Sequence, residues 1–66
     1  MEYTREQLLE AKRQIDSTLH KLRETVKTFE AKEDTLRYKS QITLAKRRGE
    51  AFTIANELID RELDRL

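Results

Sequence analysis

Leu8, Ile15, Leu22 and Phe29 recur every seven residues, and Leu19 and Val26 fall between them, so the first half of the chain carries an apolar seam with alternating three- and four-residue steps. This is the period of an α-helix that buries one stripe. Lys12 interrupts the seam once, at a position where a long aliphatic stem can lie along apolar neighbours while the ammonium stays in water. The start of this helix is marked. Thr4 can accept from the amide of Gln7 while the Gln7 side chain reaches back, and Tyr3, just before the cap, is placed to pack on Leu8. Together these form a capping box with a hydrophobic staple.

The pattern lapses around Lys32, Glu33 and Asp34, and resumes with Tyr38, Ala45, Phe52, Ile59 and Leu66 on a second seven-residue row, flanked by Ile42, Gly49 and Leu63. Asp34 or Thr35 is the expected cap of this second helix, since either side chain can satisfy free amides at a helix start. The predicted elements are therefore helix 1 over about residues 5–31 and helix 2 over about residues 35–65. The short turn makes them antiparallel neighbours. The fold class is all-α: a two-helix hairpin forming one domain over residues 1–66. Folding about Asp34 sets Leu22 against Ala45, Leu19 against Gly49 and Ile15 against Phe52, large against small in the first two layers. A close approach of helix 1 is the expected reason for glycine at position 49, with a kink or mobile break as the alternative.

Helix 2 carries a second apolar row: Leu44, Ala51, Ala55 and Leu58, with Ile54 at its edge. The two rows together span more than the roughly 100° that one neighbour covers, so something beyond the hairpin is expected on the second. A second copy is the simplest occupant and gives a homodimeric four-helix bundle. A different protein is the other. Composition adds to this expectation, because a chain of 66 residues without cysteine and with one histidine has neither disulfides nor a metal to supplement a core worth about 3–5 kcal/mol.

Charge then suggests an orientation. The net charge is +1, yet residues 20–49 hold nine basic against four acidic side chains, and the open half of the hairpin is acidic. Helix 2 is basic early and acidic late, against its own macrodipole. An antiparallel dimer would set each basic tip against the other copy's acidic end, with Arg48 and Glu62, both beside the second row, as cross-subunit partners. Lys39, Lys46 and Arg47 are the candidate phosphate contacts of a nucleic-acid-associated regulator. Adjacent basic residues on a helix diverge, however, and stacking aromatics are absent from that stretch.

Catalytic and metal chemistry find little support. His20 stands four residues after Asp16, two ligands where a metal site needs more. The pairs Glu6/Glu10 and Asp60/Asp64 lack a pocket to separate their roles. No catalytic residue, cofactor or small-molecule substrate is expected. No apolar run approaches the roughly 18 residues of a membrane span and no signal-peptide pattern opens the chain, so the cytoplasm is the expected location.

Arg13, Gln14, Ile15, Asp16, Leu19, Leu22 and Arg23 resemble the first helix of the small all-helical chorismate mutases, whose dimeric bundle binds a dicarboxylate through arginines and a lysine. The resemblance covers about twenty residues and has no counterpart for the family's third helix, so no catalytic residue is carried over. Stretches 10–28 and 38–59 resemble a group of short bacterial helical proteins of no known function. That resemblance implies a small independent bacterial protein and no activity. Helix 2 runs to the last residue without a stop signal, as a piece of a longer chain also would.

Overall fold

The computed structural model describes residues 2–32 and 35–66, with the backbone alone at Thr35. The chain is an antiparallel helical hairpin. Helix α1 spans Arg5–Glu30, a 3₁₀ turn spans Thr35–Tyr38, and helix α2 spans Lys39–Arg65. The described residues contain no strand. The result is a rod with principal extents of 48 × 16 × 14 Å.

The chain turns where it does because its two seams are out of phase. Phe29 and Tyr38, the seam residues flanking the turn, are nine positions apart. At 3.6 residues per turn, nine residues advance about half a turn beyond two full turns. A continuous helix would thus put the two stripes on opposite faces, and only a reversal brings them together. The Phe29 and Tyr38 rings stack across the reversal, centroids 4.8 Å apart and planes 21° from parallel. Lys32 lies over the Tyr38 ring at 5.5 Å and Arg37 at 5.9 Å. Such contacts add about 0.5–1 kcal/mol each beyond area burial when exposed.

At the start of α1, the Thr4 amide donates to Gln7 Oε1 at 2.9 Å and the Gln7 amide to Thr4 Oγ1 at 3.1 Å, the reciprocal cap that the sequence predicts. Tyr3, Leu8, Ala11 and Ile59 border one hollow beside it. Helix α1 ends one residue earlier than expected, with Ala31 as its cap. Helix α2 starts four residues later, because residues 35–38 wind as 3₁₀. The cap expected from Asp34 or the Thr35 side chain lies outside the described residues. Tyr38, which precedes α2, makes no side-chain capping bond.

The seam residues pack where their spacing puts them. Leu8, Leu19 and Ala45 are buried, and Ile15, Leu22, Val26, Phe29, Ile42, Phe52, Ile59 and Leu63 are half-buried between the helices. The register differs from expectation. Lys12 Nζ meets Asp60 Oδ1 at 3.0 Å, and Asn56 Nδ2 donates to Asp16 Oδ1 at 2.5 Å. Both links are centred on position 36, two residues beyond Asp34, so partners shift by about one helical turn. Val26, not Leu22, comes level with Ala45, and Leu22 comes level with Gly49. The cause is the 3₁₀ turn, which takes up residues that the sequence pattern assigns to the first turn of the second helix.

Two further expectations change with it. Lys12 does more than snorkel, since its ammonium crosses to Asp60. Nor does Gly49 mark a close approach, because a methyl group added there would meet no atom within 4 Å. The interior polar residue is Asn56, 8% exposed. It occupies the seam position between Gly49 and Leu63, and its amide oxygen has no partner among the described residues.

Two outcomes are expected. Gly49→Ala removes a glycine from mid-helix without a clash, so it should stabilise the hairpin by about 1 kcal/mol and raise Tm by about 4–8 °C, read by circular dichroism. Asn56→Leu removes a buried, half-satisfied amide and should leave stability equal or higher by about 1 kcal/mol. The same substitution should broaden the distribution of cross-links between cysteine pairs placed on the two helices, because the register loses its polar specification.

Candidate interaction surfaces

The hairpin has two unlike sides. Asp16 and Glu30 each follow a seam residue of α1 by four positions, and Lys46 and Asp60 do so on α2. In an antiparallel pair such residues fall on the same side of the plane through both helix axes. Here they carry the cross-helix polar links: Lys12 with Asp60, Asp16 with Asn56, and Glu30 with Lys46 at 3.9 Å.

The opposite side is formed by residues that immediately precede seam positions: Ala11, Thr18 and Thr25 on α1, and Gln41, Arg48, Ala55 and Glu62 on α2. The second apolar row of α2 borders it. Leu44, Ile54 and Leu58 are 46%, 52% and 53% exposed, Ala51 is exposed, and Ala55 is half-buried. Helix α1 contributes more to this side than its composition suggests. The hydroxyls of Thr18, Thr25 and Thr28 donate to the carbonyls of Gln14, Lys21 and Glu24, at 3.0, 2.9 and 2.9 Å. A threonine bonded back to its own helix has its polar group satisfied and presents a methyl group. The face therefore carries small side chains on both helices, set among the longer exposed Gln41, Arg48 and Glu62. Sequence periodicity marks the α2 half. The threonines are missed because their polarity counts against them until the hydroxyl geometry is known.

The charged residues expected at this face are exposed. Glu62 accepts from Arg65 at 3.1 Å within α2, so any cation from another copy would have to compete with that local pair. It is a weak competitor, because exposed i,i+3 pairs contribute only a few tenths of a kcal/mol. The candidate phosphate contacts come together only in part. Lys39 and Arg47 border one shallow depression with Leu44, and Lys39 borders a second with Lys46, where Glu30 also stands.

Among the described residues no three His, Cys, Asp or Glu side chains converge on a metal position. Asp16, the candidate neighbour of His20, is engaged by Asn56 instead. Arg13 is paired with Glu10 within α1. No described helix is long and apolar enough to cross a membrane. Comparison with protein-family models, curated proteins and solved structures finds no match to this chain.

Glu62→Arg should lower the affinity of self-association at low salt, since it replaces the carboxylate nearest the end of the apolar row by a like charge to Arg48. The loss should shrink at high salt, where the Debye length is about 3 Å. Sedimentation at two ionic strengths checks both parts.

Proposed function

We propose that this protein is a small non-enzymatic interaction module, bacterial and cytoplasmic, that self-associates through the outer face of α2. Leu44, Ala51, Ala55 and Leu58 form the contact row, with Arg48 and Glu62 at its margin. The observation that carries this reading is the exposure of Leu44, Ile54 and Leu58 on a hairpin in which no side chain among the described residues is fully buried. Contiguous exposed apolar side chains mark contact surfaces, and a core this thin gains much from a second layer. Small residues at the row's centre permit close helix crossing. The charge map favours an antiparallel arrangement, giving a four-helix bundle of two hairpins.

Lys39 and Arg47, on one depression near the turn, favour a second reading in which the basic end contacts nucleic acid. Binding to a generic duplex that weakens steeply with salt would support it; self-association predicts none at physiological salt.

Sedimentation equilibrium over a concentration series tests the main reading. The expected particle is twice the 7.9 kDa chain, dissociating on dilution by mass action. Ala51→Glu, at an exposed helical position, should leave the monomer's helicity intact and abolish the dimer. A monomer throughout the series, or a full dimer with that substitution, would overturn the proposal.

A further inference from the structure

The register that brings Leu22 level with Gly49 leaves a hollow of about 370 Å³ between the helices, on the polar side and facing away from the contact row. Its walls are Leu19, Leu22, Val26 and Ala45, and Gly49 forms its floor. Thr53, at one end, has its hydroxyl turned onto the Gly49 carbonyl at 2.8 Å, so its polar group is satisfied. Beyond Thr53 the Asp16–Asn56 bond bridges the helices. The margin is cationic: Arg23, Lys27 and Lys46 border the hollow, and no carboxylate among the described residues does. Lys27 and Lys46 are held only by long exposed pairs, to Glu24 at 3.6 Å and Glu30 at 3.9 Å, and Arg23 has no ion-pair or hydrogen-bond partner among the described residues.

We propose that this hollow binds a single-chain amphiphile with an anionic head group. The volume falls within the range of small-molecule sites, about 300–1,000 Å³. From Leu19 to Lys27 it runs about 12 Å along α1, and it includes the open space beside Gly49, where an added methyl group would meet no atom within 4 Å. That admits an alkyl chain and not a helix, which is about 10–12 Å across. Polarity along the hollow sets the direction of binding. Asp16 stands at the Thr53 end, while Lys27 and Lys46 stand at the end nearer the turn, so the head group lies turnward and the tail runs over Gly49. The glycine fits this role: it weakens α2, and no neighbouring atom in the hairpin uses the space it leaves. The inference does not depend on self-association, which uses the other side.

Isothermal titration of the full chain with dodecanoate, dodecanol and butyrate, below the micelle threshold, tests it. Dodecanoate should bind saturably, one per chain and about tenfold or more tighter than dodecanol, with butyrate not binding. Gly49→Leu fills the hollow and improves helix propensity; it should weaken dodecanoate about tenfold or more without lowering Tm. Lys27→Gln with Lys46→Gln should erase the preference over dodecanol. Leu44→Gln, on the contact row, should weaken self-association and leave dodecanoate binding unchanged. Undiminished binding by G49L, loss of binding in L44Q, or uptake that does not saturate would overturn the site. So would dodecanoate failing to bind while an acidic peptide of residues 50–66 does, which would assign the hollow to a second copy.

Discussion

The pair of cross-helix links at Lys12–Asp60 and Asp16–Asn56 is the constraint on which the rest of this hairpin depends. Apolar seams with three- and four-residue steps are self-similar: slid by one turn, a leucine meets another hollow of much the same shape. Hydrophobic contact alone therefore discriminates poorly between registers. A buried amide does better, since it bonds one carboxylate in one register and is left bare in its neighbours. The seam is polar once on each helix, at Lys12 and at Asn56, and each interruption is answered from the opposite helix by an acid. What looks like two flaws in two stripes is one matched contact, about one turn long.

From this lock follows the division of the hairpin into two sides. Ionic and amide contacts gather on one, along with the space over Gly49 that the register opens. On the other, three threonines fold their hydroxyls onto their own helix and the α2 row lies exposed. A partner approaching the first side has to displace ion pairs, although exposed pairs resist little. A partner approaching the second meets threonine methyl groups, alanines and leucines, with Gln41, Arg48 and Glu62 among them. In the proposed pairing, the basic and acidic halves of the rod would influence how two such faces align more than how tightly they hold.

Much of the fold was legible in the order of residues. The seams, the Thr4–Gln7 cap and the antiparallel hairpin follow from spacing and from turn length, because helical period and reach are local properties. The register was not legible, since it depends on how many residues the turn consumes, and a 3₁₀ segment is not distinguishable from a first α-turn in Leu36, Arg37 and Tyr38 alone. Asn56 is not legible in the pattern, because periodicity counts apolar residues and a buried amide is invisible to that count. The role of Gly49 was inverted for the same reason: a glycine in a seam reads as crowding until the partner's register is known. Of the candidate contact face, the leucine and alanine row was visible, and the threonine contribution was not.

The rod shape itself has a consequence in solution. The radius of gyration is 15.0 Å, where a compact chain of this length would have about 11 Å. Such a particle tumbles end over end slowly and drags more solvent than its mass implies. A single hairpin will therefore migrate through a porous matrix like a globular protein of considerably greater mass, and its friction mimics assembly where there is none. Side-by-side pairing of two antiparallel rods would thicken the particle while barely lengthening it, so association brings the frictional ratio closer to that of a sphere.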